Sequence, residues 1–163
     1  EGYEYDGEHC NSVIYEDGHI YFVANDIPGQ GSMKLKISDD GRSITEAWRN
    51  PEVMNNFQGF VVVDDHVFAT VRGNKLVSIG ADGLIADSIK VATGGIAFAD
   101  NKFFVYGHSG AVNMIQYMDG TMEIKGTLKV KEGSGHHFSH PVLHNGVMYI
   151  RHGDAMMAYK VGA

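Results

Sequence analysis

Four short hairpins recur along the chain, and no other feature constrains the fold so tightly. They read SVIYEDGHIYFVAN, GFVVVDDHVFATVRG, GGIAFADNKFFVYGH and HPVLHNGVMYIRHG. Each pairs two runs rich in Val, Ile, Tyr or Phe across a two-residue turn. The turns fall at Asp17-Gly18, Asp64-Asp65, Asp100-Asn101 and Asn145-Gly146, so they lie 47, 36 and 45 residues apart. A third strand follows each hairpin: SMKLKIS, NKLVSIG, VNMIQYM and AMMAYKV. After the first three, Asp-Gly turns at Asp40-Gly41, Asp82-Gly83 and Asp119-Gly120 lead into SITEAWRN, LIADSIKV and TMEIKGTLKV. A period near 40 residues with four strands per unit predicts the blades of a β-propeller.

The expected architecture is therefore all-β, with antiparallel blades spanning 9–50, 56–91, 92–130 and 136–163, the last without its outer strand. No stretch keeps apolar residues at helical spacing. Hydrophobic residues make up 44% and charged residues 20%, enough apolar surface for a packed core. The stretch EGYEYDGE is a candidate for the missing strand. The alternatives left open are a ring of four blades, or half of a larger ring completed by further sequence or by a second copy.

Composition narrows the partners. Net charge is -7, and acidic and basic residues are mixed along the chain. Without a Lys/Arg cluster to track phosphates, nucleic acid is not an expected partner. No apolar run approaches the roughly 20 residues that span a bilayer. Numbering opens at Glu1 with no Met and no secretory leader, so the chain is expected to be a processed product or an excised piece. The single cysteine, Cys10, excludes an internal disulfide and is expected to be buried and inert.

The segment LKISDDGRSITEAW resembles the quinoprotein-type (pyrroloquinoline-quinone-like) repeat, an Ala/Leu-x-Asp-x-x-Thr-Gly turn followed by Trp. Asp39 or Asp40 with Gly41 matches the turn, and Trp48 matches the Trp that packs between blades. The last repeat is similar to the same family through Pro141, Val142, Gly146, Val147, Tyr149, Ala158 and Tyr159, with Lys160 where the family usually has Asp. The second and third repeats keep the turn and lack the Trp. The resemblance implies a piece like the C-terminal half of such a propeller. It implies a non-catalytic envelope or periplasmic relative that binds a protein or small ligand. The alternative is part, or a decayed relative, of a quinone-dependent alcohol or sugar dehydrogenase. Only that alternative calls for pyrroloquinoline quinone and calcium, and its catalytic residues do not map onto this sequence. The resemblance also predicts Trp48 buried between the first two blades, with its indole N–H on a backbone carbonyl.

Loops entering the innermost strands emerge on one face of a propeller. They carry His9, Cys10, Asn11, Asn55, Asn56, Gln58, His136, His137 and His140. Of these, His9, Asn11, Asn55, Asn56, Gln58, His136, His137 and His140 are the candidate ligand-binding residues, because polar groups converging on a concave surface are the usual signature of a site. His136, His137, His140, His144 and His152 could also suggest zinc, but no Asp or Glu stands within SGHHFSHPVLHNG to complete a set, so no metal is expected. Their expected role is as polar groups bonded to backbone. His9-Cys10 and Ser139-His140 are neighbours that point to opposite faces of a strand, so no catalytic couple is predicted. Met156 and Met157 are expected in blade-to-blade packing.

Overall fold

The computed structural model describes residues 10–25 and 29–161. Four antiparallel sheets follow one another in chain order, each a meander. Blade 1 holds β1 (Ile14–Glu16), β2 (His19–Val23), β3 (Ser32–Ile37) and β4 (Ile44–Asn50). Blade 2 holds β5 (Phe60–Val63), β6 (His66–Val71), β7 (Lys75–Ile79) and β8 (Ile85–Lys90). Blade 3 holds β9 (Gly94–Ala99), β10 (Lys102–Gly107), β11 (Ala111–Met118) and β12 (Thr121–Lys129). Blade 4 holds β13 (Val142–His144), β14 (Val147–His152) and β15 (Ala155–Lys160), with no fourth strand among the described residues. The EGYEYDGE stretch lies outside the described residues. No helix is long and apolar enough to cross a membrane among those described.

The four hairpin turns are the ones the sequence marks. Both central residues are left-handed in every case: Asp17 and Gly18 at φ 45° and 75°, Asp64 and Asp65 at 49° and 63°, Asp100 and Asn101 at 50° and 56°, Asn145 and Gly146 at 47° and 72°. Two positive φ values make a type I′ turn, whose twist matches the flanking strands, and Asp, Asn and Gly tolerate that region best. A second device also repeats. β3, β7 and β11 each shift register against the outer strand, after Lys34, Ser78 and Met114. Those residues pair with Tyr21, Phe68 and Phe104 on the second strand. Each of these three lies two residues into its strand, so the bulge falls at one place in every four-stranded blade and bends each outer strand alike.

The core is a series of seams between blades. In the first, Tyr21, Val23 and Trp48 meet Val67, Ala69, Val77 and Ile79. In the second, Phe68 and Leu76 meet Phe103, Val105 and Ile115, with the Phe68 and Phe103 ring centroids 4.4 Å apart. In the third, Phe104, Tyr106 and Val112 meet Met148 and Ile150. Trp48 is 9% exposed, as the repeat pattern requires. Gly83 lies against its indole, where a Cβ would come within 2.8 Å of the Trp48 Cβ. The predicted indole hydrogen bond is corrected: Trp48 Nε1 is buried without an acceptor. The ring is placed by shape, over a glycine at φ 82°, and that packing leaves no carbonyl in line with the N–H.

Polar staples cross the same seams. Asn50 Nδ2 donates to Gly83 O at 2.9 Å, Thr70 Oγ1 to Gly94 O at 2.7 Å, and the Met122 amide to Asp87 Oδ2 at 2.8 Å. Asp65, in the blade 2 turn, accepts from the Tyr21 hydroxyl and pairs with Lys34 Nζ at 2.5 Å. Burial works to raise the Asp65 carboxyl, but the Lys34 and Tyr21 bonds outweigh it and hold it below the usual range. Two expectations about sulfur side chains change. Cys10 is exposed rather than buried, because it precedes β1 in the entry loop. Met157 packs in the third seam, whereas Met156 points to the opposite face of β15 and is exposed.

Candidate functional site

Strand alternation decides which loops share a face. The first strand of each blade runs toward its type I′ turn, so the loop entering it emerges at the opposite end. An antiparallel meander returns the turn between the second and third strands to that same end. The face is therefore built from two sets of loops, the entry loops and the turns between the second and third strands. The second set brings Arg72, Gly73 and His108.

A cavity of about 360 Å³ opens between them, lined by Asn55, Asn56, Phe57, Gln58, Arg72, Gly73, Thr93 and His108. An aromatic cluster stands at its rim. Phe57 stacks on His108 with ring centroids 5.4 Å apart and meets Phe138 edge-on at 5.0 Å. Phe138 also meets His108 at 5.0 Å and stacks on His136 at 4.8 Å. Phe57 is 37% and Phe138 48% exposed, so both rings present an open surface although each is braced by neighbours. Burial pushes the His108 imidazole below its usual pKa, which keeps it neutral against the two phenyl rings. Three blades contribute to this cluster, through the loops at 55–58, 108 and 136–138.

The candidate residues divide by what their side chains touch. Asn11 Nδ2 donates to Val23 O at 3.0 Å and to Asn55 Oδ1 at 2.5 Å, while its Oδ1 accepts from the Gly59 amide at 3.1 Å. Asn55 Nδ2 donates to Gly59 O at 2.8 Å. Gln58 Oε1 accepts from the amides of Asn56 and Phe57 at 2.8 and 3.2 Å. These amides fold the 55–59 loop and so aim Phe57 outward. Asn56 lines the cavity. His9 lies outside the described residues.

The three histidines of the last entry loop go to separate partners. His136 is exposed and stacks on Phe138. The Tyr106 hydroxyl lies 2.5 Å from His137 Nδ1, and the His137 ring stacks on His152 at 3.7 Å. Burial lowers its pKa, with His152 and Lys129 acting in the same direction, while burial and Tyr159 push Tyr106 up to about 12. Both shifts favour an uncharged pair, a neutral imidazole beside a protonated phenol. His152 places Nδ1 2.7 Å from Glu132 O and Nε2 3.0 Å from Gly135 O, tying the loop to β14. His140 sits among the inner strands: its Nε2 lies 3.2 Å from Phe57 O, and a Cβ on Gly59 would come within 2.8 Å of its ring. Among the described residues, no three His, Cys, Asp or Glu side chains converge on a metal position.

Phe57 and Phe138 stand beside the polar candidates Asn56, Gln58 and His137, in the same entry loops. His108 and Arg72 were signalled only by their place in the second-to-third strand turns.

No family model matches the chain, and no curated protein matches it. Solved structures do. BamB from Moraxella catarrhalis, a β-propeller, superposes with a TM-score of 0.62 at 12% identity, over 91% of this chain and 41% of its own. The chain thus spans less than half the length of that neighbour. The computationally designed Ika4 protein superposes with a TM-score of 0.62 at 10% identity, over 96% of this chain and 100% of its own. Identities this low establish the fold, a β-propeller with four blades in this chain.

Proposed function

We propose that the chain is a non-enzymatic binding module of the bacterial cell envelope that holds a protein segment on its loop face. The observation carrying this reading is the half-exposed Phe57–His108–Phe138–His136 cluster beside a cavity lined by amides and Arg72. Braced aromatic rings around a polar hollow suit an apolar anchor flanked by backbone hydrogen bonds. The buried amides serve this purpose indirectly, by holding the 55–59 loop. The likeness to BamB supports the envelope assignment by fold alone. Neither pyrroloquinoline quinone nor calcium belongs to this reading.

The test compares the chain with a Phe57→Ala/Phe138→Ala variant as immobilised bait for an envelope extract. A partner retained by the first and lost by the second supports the proposal. Equal retention by both refutes it. Quinone with calcium is expected to leave the melting temperature unchanged, and a rise would favour the dehydrogenase alternative.

A further inference from the structure

Each internal seam joins two kinds of blade face. One face of the second strand, carrying Tyr21, Phe68 and Phe104 in blades 1 to 3, packs on the following blade. Tyr149 holds the same place in blade 4, two residues after the turn-flanking Val147, as Tyr21 follows His19. Tyr21, Phe68 and Phe104 are 2%, 0% and 4% exposed, but Tyr149 is 36% exposed. Its neighbours on that face, Val142 opposite and Met156 beyond, are exposed as well. The other kind of face carries Val67, Phe103 and Met148 in blades 2 to 4, all buried against the preceding blade. Ile20 holds that place in blade 1, with Leu35 beside it, and both are only half-buried, while Val13 and Tyr15 on the same side are exposed.

The two open faces are thus one of each kind, with apolar residues in register for the seam the chain already makes three times. We propose that a second copy of this chain closes the ring, blade 4 of each copy packing on blade 1 of the other about a two-fold axis. Two equivalent seams then cover both open faces and leave no blade unpartnered. Tyr149 of one copy meets Ile20 of the other as Phe68 meets Phe103. The Ika4 chain, covered in full by this one, has the length of such a half. The assembly is independent of what the loop face binds, and it sets two such faces side by side.

Light scattering on the 163-residue chain after gel filtration tests this. The expected mass is about twice 17.8 kDa. Tyr149→Arg should yield a folded monomer with an unchanged circular dichroism spectrum. In a Cys10→Ser background, Tyr149→Cys with Ile20→Cys should oxidise to one closed covalent dimer on a non-reducing gel. A monomeric parent chain overturns the proposal, as does a dimer indifferent to Tyr149→Arg or a ladder of higher species from the cysteine pair.

Discussion

Replacing Trp48 with Ala tests how the first seam is held. The indole is 9% exposed, wedged between β4 and the Gly83 turn, so truncation removes a large apolar group from a site with little freedom to collapse. Large-to-small changes of this kind cost about 3–5 kcal/mol. For a chain of this size each kcal/mol lowers the melting temperature by roughly 2–4 °C, which makes the expected fall about 6–20 °C. No hydrogen bond is lost, because Nε1 has no acceptor. That makes Trp48→Phe informative: it keeps much of the packing and removes a buried unpaired donor, itself worth about 1–3 kcal/mol. The phenyl variant should therefore lose less than half of what the alanine variant loses. Urea unfolding followed by circular dichroism, at fixed protein concentration, measures both. A Trp48→Ala loss below about 1 kcal/mol would refute the wedge, and equal losses for the two variants would refute the unpaired indole.

Thr70→Val keeps the shape of a fully buried side chain and deletes its bond to Gly94 O, so it should cost about 1–2 kcal/mol in the same assay. Asp65→Asn leaves the nearly buried Lys34 ammonium without its carboxylate and should cost about 1–3 kcal/mol. His108 and His137 both have folded pKa values below the usual 6.5, so the unfolded chain binds more protons than the folded one at mildly acidic pH. Stability should accordingly be complete above pH 6.5 and fall as the pH drops below it, with a weaker fall in a His137→Gln variant. Asp65 has the same sign in a lower window, where its contribution is lost below its ordinary value of 3.8.

The fold was legible because its signals are local. A pair of Asp, Asn or Gly residues between β-branched runs specifies a type I′ hairpin from a handful of residues, and four such turns at blade spacing define the repeat. The site was less legible, because its members are set by which end of a strand each loop occupies. Asn55 and Gln58 looked like ligand contacts, yet their amides are bonded within the loop, and that loop supplies Phe57. His108 carries no mark in its own segment; only the return of β10 to the loop face brings it to Phe138. Trp48 lacks the expected indole bond for a related reason, since its ring is placed by shape and not by an acceptor.

Site-specific crosslinking tests the loop-face reading most directly. A photoreactive side chain is placed at Phe138 in one variant and at Asp119, in a turn at the far end of blade 3, in another. Each is irradiated with an envelope extract. Binding by the loop face predicts a discrete crosslinked partner from position 138 and none from position 119. A partner captured from position 119 alone, or from both positions alike, would contradict it.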